Sequence, residues 1–406
     1  MWEEFPRIST AEWEAALRAD LKGADYEKKL VWHTEEGIDV RPYYRQENLP
    51  ASTGMARFTG EWQVAKEADI PTGAVRGDAL HERGSTAVQE IGYALAESGG
   101  KRSHMVFSIG SNYFFEIAKL RAVRQLWARL SRVPLVLWSR TSYANKSLYD
   151  PSANLLRCTT EAMSAIFGGC DFLIVAPARF PQHLADSLVR IFREESHFDQ
   201  VSDPGGGSYY IESLTAAIAE EAWKVYGSGT AGSEAAIAAS RAAKDKAVAQ
   251  RKRTLIGVNH YPDLNETLPA GASLPETPWR MAKPFEQIRQ RVEKSGKRPR
   301  VLLLSRGQVK MRTARANFSM NLFGCAGFDV KLSDALEPAD LVVLCSSDPE
   351  YLALAKEIVP QTKAPVLVAG HPKEDIEALK AAGVRDFIYV GMNAVETLSR
   401  WQEALT

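Results

Sequence analysis

Seven histidines are the natural place to look for chemistry, because imidazole works near neutral pH as a base, a proton shuttle and a metal ligand. His33, His81, His104, His183, His197, His260 and His371 show no HxH, HxxxH or HExxH spacing, which argues against a metal centre. Cys158, Cys170, Cys325 and Cys345 are equally scattered, without a CxxC pair. Neither a zinc site nor a disulfide framework is expected, and a cytoplasmic location is. Ser139, Thr141 and Ser142 cluster where a strand should end, but no His/Asp pairing accompanies them to activate a hydroxyl. Gly205–Gly207 has the composition to approach a phosphate. Pro204 before it and the aromatic run after it read first as a tight turn leading into a strand. His371 follows Gly370 at the end of an apolar run and lies where a ligand crevice would open, though an ordinary loop histidine accounts for it as well. Ser305-Arg306-Gly307-Gln308-Val309-Lys310-Met311-Arg312 follows another such run and contains no His, Asp or Glu, no GxGxxG and no P-loop lysine. A role in packing or partner contact fits it better than a dinucleotide or triphosphate site. No catalytic, cofactor-binding or metal-ligating residue is therefore expected here.

The elements that would carry these residues are legible from hydrophobic period. After Ser9-Thr10, the positions Trp13, Ala16, Leu17 and Leu21 mark one amphipathic helix in an otherwise extended N-terminal arm, 1–64. Residues 65–260 alternate apolar strands (105–110, 134–139, 171–176) with helices. One of those helices should start at Asp150 as N-cap, with Pro151 in its first turn. The Ala-rich stretch 233–254 reads as a helix facing solvent. Five prolines between Tyr261 and Pro284 mark a linker, taken as 261–298. Residues 299–406 repeat strand and helix five times, the pattern of a doubly wound, flavodoxin-like domain.

Composition limits the partners. Fifty Lys and Arg balance fifty Asp and Glu, so a nucleic-acid binder resting on phosphate charge is excluded. No apolar run approaches the roughly 18–20 residues of a membrane span.

Several long blocks carry a family resemblance: IGSNYFFEIAKLRAVRQLW, RTSYANKSLYDPSANLLRCTTEAMSAIFGG, FREESHFDQVSDPGGGSYYIESLT and RPRVLLLSRGQ followed by GCAGFDV. In order and content they resemble methylmalonyl-CoA mutase. The resemblance implies a (β/α) barrel for an acyl-CoA followed by a doubly wound domain of the cobalamin-binding type. In catalytic members, homolysis of the cobalt–carbon bond starts the rearrangement of methylmalonyl-CoA to succinyl-CoA.

The departures are as informative as the match. The family's cobalamin motif is Asp-x-His-x-x-Gly with a Lys four residues before the Asp. Those positions fall on Val309, Met311, Ala314 and Ser305. In the barrel, the family's Tyr-His falls on Asp78-Ala79, and a later His and Gln fall on Trp138 and Arg140. Fewer than twenty residues separate Trp62-Gln63 from His81-Glu82-Arg83-Gly84-Ser85, where the family usually runs through several barrel strands. Three or four barrel-like strands remain, too few to close a barrel. The arm, the linker or another subunit must then cover the open face. This pattern resembles the small, non-catalytic subunit of a heterodimeric mutase. It implies a partial barrel, no cofactor on this chain, adenosylcobalamin in the partner, and a catalytic large subunit as that partner. A stand-alone interaction or regulatory protein of the same descent is the second reading. An active mutase lacking a protein imidazole on cobalt is the third.

Overall fold

The computed structural model describes residues 8–49 and 61–406. The parts of the expected arm at 1–7 and 50–60 lie outside them. A short antiparallel pair, β1 (Trp32–His33) and β2 (Asp39–Val40), belongs to the arm. Two five-stranded sheets, both wholly parallel, make up the rest of the strand content. The first contains β3 (Gln63–Val64), β4 (Val75–Arg76), β5 (His104–Ile109), β6 (Val136–Thr141) and β7 (Phe172–Ile174). The second contains β8 (Arg300–Ser305), β9 (Asp329–Ser333), β10 (Leu341–Cys345), β11 (Val366–Val368) and β12 (Val384–Phe387). Among the described residues no helix is long and apolar enough to cross a membrane.

Capping chemistry sets several helix starts. Ser9 forms a capping box with Glu12 at the helix Thr10–Asp20. Asp150 accepts from the Ala153 amide at 3.0 Å, with Pro151 in the first turn of the helix Pro151–Phe167, as its sequence requires. Two expectations fail. Tyr209 and Tyr210 open a helix (Tyr209–Gly227), because the Ser208 hydroxyl caps it where a strand was expected. The helix Glu234–Ala249 does not face only solvent: Ile237, Lys244 and Val248 are buried on its inner side.

The first sheet has the order β3-β7-β6-β5-β4, so β3 and β4 are its two edges and no barrel closes. It has five strands: the stretch before Asp78, expected as a possible fourth, is β4, and β3 exceeds the three or four expected because two residues leave no periodic signal. Alternate residues of the central strands face opposite ways. Met105, Phe107, Ile109, Leu137 and Leu173 pack against the helices Ala87–Ser98, Tyr113–Leu130 and Pro151–Phe167. Val106, Trp138 and Ile174 face the other side, where a complete barrel would have its interior. Only residues 65–74 connect opposite edges of the sheet. Four strand spacings amount to about 19 Å, and ten extended residues reach about 33 Å, so this short segment can run across the whole face. It does so as a strap: Ala65, Ile70 and Ala74 pack onto Val106, Trp138 and Ile174. Among the described residues the cover for the open face is thus this segment.

In the second sheet the order β12-β11-β10-β8-β9 places the topological switch between β8 and β10. Both faces are buried. Val301, Leu303 and Val343 join the core with Phe285, Phe323 and Trp401, while Leu302, Leu304, Val342 and Leu344 join Tyr351, Ile358 and Leu379. The two sheets are tied through the loop after β6. Glu286, buried in the helix Lys283–Ser295, accepts from the Leu148 amide at 2.7 Å and from Arg280 at 2.7 and 2.9 Å. Met281 N donates to Ala144 O at 2.9 Å.

That loop also carries Lys146, fully buried, with its ammonium on Glu161 at 2.7 and 2.8 Å and on Asn145 Oδ1 at 2.7 Å. Removing one member of such a pair strands a buried charge, whereas replacing both by apolar groups can be close to neutral. Chemical denaturation should find Lys146→Met destabilised by about 3–5 kcal/mol and the double variant Lys146→Met/Glu161→Leu closer to the parent.

Candidate functional site

In parallel sheets ligands meet the carboxyl ends of the strands, and the chain has two such ends. At the second sheet, Gly307 turns the backbone after β8 with φ +86°, a region that favours glycine. Above it sits the carboxylate of Glu350 from the loop after β10. Glu350 Oε2 accepts from Ser346 Oγ at 2.6 Å, Ser347 Oγ at 2.5 Å, Ser347 N at 3.1 Å and Gln308 N at 3.3 Å. These four donors hold its carboxyl well below the usual range, at about 2. A Cβ on Gly307 would collide with this carboxylate and with Ser346 Oγ. The crevice at the switch point is therefore laced shut by a negatively charged side chain. Val309 and Ala314 point to solvent, and Met311 is half-buried on the helix Val309–Gly324. No imidazole is among the residues of this crevice between β8 and β10.

His371 lies one strand away. Its ring is 4.4 Å from that of Tyr389 and edge-on to Phe387, and its Nδ1 is buried without a hydrogen bond among the described residues.

At the first sheet the end that would face a barrel interior is filled by charge. Asp78, fully buried, accepts from Arg76 Nε at 2.9 Å and from a terminal nitrogen at 2.7 Å. Arg140 reaches Glu82 at 3.4 Å, Asp78 at 3.6 Å and Glu67 of the strap at 3.9 Å. Glu82 is the hub. It also accepts from Ser108 Oγ at 3.1 Å, Tyr143 N at 3.1 Å and Ser142 Oγ at 3.3 Å. Trp138 stacks on Phe172 with ring centroids 4.0 Å apart and donates its indole N–H to His104 Nδ1 at 3.1 Å. Each of these side chains has a protein partner, while Glu82 Oε2 and Arg140 Nε are buried without a hydrogen bond among the described residues.

The other candidates prove structural. Thr141 Oγ1 accepts from the Ala176 amide at 2.9 Å, and Ser139 is fully buried. Gly207 takes φ +82° in a turn whose amide donates to Glu212 at 3.0 Å, and Glu212 is paired with Arg121 at 2.6 Å; the glycine run is a tight turn. All four cysteines are buried and free, and burial pushes their thiols up to about 11 (Cys158) or 12 (Cys170, Cys325, Cys345), which leaves little thiolate at neutral pH. Among the described residues no group of three or more His, Cys, Asp and Glu could hold a metal. His33 pairs with Asp39 at 2.7 Å, and His81 with Glu90 at 2.8 Å.

Glu82 and Glu350 are the functional-site residues that sequence reading passes over. Glu350 had a signal: Ser347-Asp348-Pro349-Glu350 is a capping-box sequence, and the box forms. Glu82 had none, because its partners arrive from β5 and the loop after β6.

The methylmalonyl-CoA mutase family matches residues 40–298. A methylmalonyl-CoA mutase small subunit of Porphyromonas gingivalis is 30% identical, covering 99% of this chain and 98% of that protein. The alignment runs over 609 residues, far more than the 406 of this chain, so a long stretch of the relative has no counterpart here. The small subunit of Streptomyces virginiae is 30% identical over 89% of this chain and 68% of its own length. A probable small subunit of Mycobacterium bovis is 31% identical over 83% of this chain, which covers 65% of that relative.

The Glu350 latch has a testable pH dependence. A carboxyl held below its unfolded value stabilises the fold above that value, and the contribution is lost as pH falls toward the folded one. Melting temperature should therefore drop more steeply between about pH 4.5 and pH 2 for the parent than for Glu350→Gln, which has no proton to take up.

Proposed function

The chain belongs to the methylmalonyl-CoA mutase family, and from that premise we propose that it is a non-catalytic small subunit that stabilises a catalytic large chain in a heterodimer. The observation that carries the proposal is the Glu350 latch. Adenosylcobalamin bound in the family's manner needs an imidazole beneath the cobalt, a carboxylate to orient that imidazole, and an open crevice for the nucleotide tail. Here the corresponding positions hold Met311 and Val309, and the crevice contains a carboxylate hydrogen-bonded to both of its walls. These residues do not fit the cofactor. The other sheet agrees: Trp138 and Arg140 bind neighbours in the space where substrate chemistry would occur.

On this reading residues 65–260 form a partial (β/α) barrel, preceded by the arm 1–64, whose last residues supply the edge strand β3. A linker, 261–298, which ends in the helix Lys283–Ser295 packed into the core of the second sheet, joins it to a flavodoxin-like domain of the cobalamin-binding type at 299–406. The strand order of the second sheet supports the latter. Adenosylcobalamin belongs to the large subunit, in the cytoplasm, and the relatives named small subunits support the existence of such a partner.

Two measurements test the proposal. Titration of the purified chain with adenosylcobalamin should leave the corrin absorbance unchanged, and co-expression with a catalytic large chain should yield a stable heteromer whose activity falls when this chain is omitted. A stoichiometric cobalamin complex of this chain alone, or isomerisation of methylmalonyl-CoA by it unaided, would overturn the reading.

A further inference from the structure

A cavity of about 710 Å³ lies on the helix side of the first sheet, above the carboxyl ends of β5 and β6 and apart from the plugged interior face. The arm (Trp32–Glu36), the start of the helix Tyr113–Leu130, the helix Glu234–Ala249 with the loop after it, and the stretch around Trp279 all contribute walls. A volume of this order holds a small organic molecule.

Its charges do not all find partners within the protein. Four carboxylates line it, and each is committed. Glu35 pairs with Arg253 at 2.7 Å. Glu36 accepts from the Ala87 and Val88 amides, both at 3.0 Å. Glu90 is held by Lys119 at 3.2 Å and by His81 at 2.8 Å. Glu116 is held by Lys119 at 2.5 Å and by the Gly110 amide at 3.0 Å. The two ammonium groups that line the same space are in the opposite condition. Among the described residues, neither Lys244 nor Lys252 has a carboxylate within 4.0 Å. Lys244 is 9% exposed, and its one hydrogen bond goes to Ser85 O at 2.6 Å. An ammonium has three donors, so this buried group keeps unused donors and touches no carboxylate. Glu36 and Glu90 act on it only through space, and the Trp279 ring lies 5.9 Å away. A bound anion would improve this arrangement. His81 adds a second anchor. Glu90 fixes its Nδ1, leaving Nε2 beside Gly110 at the cavity wall. Phe115, Trp279, Leu255 and Met281 supply an apolar lining.

We propose that this cavity is a binding site for a small organic anion: a carboxylate or phosphate group on Lys244 and Lys252, an apolar body against Phe115 and Trp279, and His81 Nε2 as a further hydrogen-bonding contact. The proposal is independent of the subunit reading, since it uses only this chain's walls.

Isothermal titration of the full chain with benzoate, phenyl phosphate and inorganic phosphate tests it. At least one of the two aromatic anions should bind saturably at one per chain. Lys244→Met should weaken that binding about tenfold or more, and Lys252→Ala, at an exposed position, about threefold. His81→Gln should weaken it as well. Circular dichroism and melting of each variant separate lost binding from lost folding; Lys244→Met removes a buried uncompensated charge and should not melt earlier than the parent. The site is refuted by failure of both aromatic anions to bind, by equal binding to Lys252→Ala and Lys244→Met, or by inorganic phosphate binding as tightly as phenyl phosphate, which would leave the apolar wall without a role.

Discussion

A parallel sheet must be covered on both faces, and among the described residues no further strands cover one face of the first sheet. In a closed barrel the inner face of each strand packs against the inner faces of the others. With only β3 to β7 present, Val106, Trp138 and Ile174 would meet water. The structure meets the demand locally. Residues 65–74 run from one sheet edge to the other and set Ala65, Ile70 and Ala74 on the bare strands. The same segment contributes Glu67, which bonds Arg76 at 2.7 Å on the neighbouring edge. The strap is thus a lid and a brace between the two edges, β3 where it begins and β4 where it ends.

Burial of that face explains why its polar residues form a closed network. A guanidinium beneath the strap cannot remain solvated, so Arg140 has Glu82, Asp78 and Glu67 within 4.0 Å. Glu82 in turn collects hydroxyl and amide donors from β5 and the loop after β6. The second sheet uses the same device on a smaller scale, with Glu350 joining the loops that flank its switch point. In both places a carboxylate held by protein donors occupies the carboxyl end of a parallel sheet. Such a side chain is held by hydrogen bonds as well as by shape, so a ligand would have to break several charge-assisted bonds to displace it.

What the sequence revealed and what it concealed follow from range. Period and caps are local, so the helix after Asp150, the central strands and the alternation of the last hundred residues could be read directly. The strap and β3 could not, because a two-residue strand has no period and 65–74 carries no mark of crossing a sheet; β4 was legible only as a possible fourth strand before Asp78. The Tyr209-Tyr210 start misleads for a related reason. Aromatic residues favour strands, but the Ser208 cap and the core contacts of Ile211 and Leu214 decide for a helix. At the candidate site, the loss of the cobalt-binding pattern at Ser305, Val309, Met311 and Ala314 was legible. The carboxylate that took over the crevice was not, because it comes from a different loop more than thirty residues away.

Those two plugged ends throw the remaining cavity into contrast. At Arg140 and Glu350 each charged side chain has an oppositely charged or hydrogen-bonding partner from the protein, although Glu82 Oε2 and Arg140 Nε remain buried without a hydrogen bond among the described residues. At Lys244 the ammonium touches no carboxylate of the described residues. The buried salt bridge of Lys146 and Glu161 shows that this fold can surround an ammonium with acceptors where it has only itself to satisfy. Lys244, on a helix otherwise rich in alanine, has one carbonyl instead, beside an open volume lined by indole and phenyl rings. The difference lies in geometry. Lys146 is enclosed by its own loop and helix, and all its donors meet protein oxygen. Lys244 ends at a cavity wall, where oxygen from outside the chain can approach. Ammonium donors left unused at the wall of an open cavity, where the ammonium of Lys146 is fully enclosed, are the place where oxygen from another molecule can complete the set.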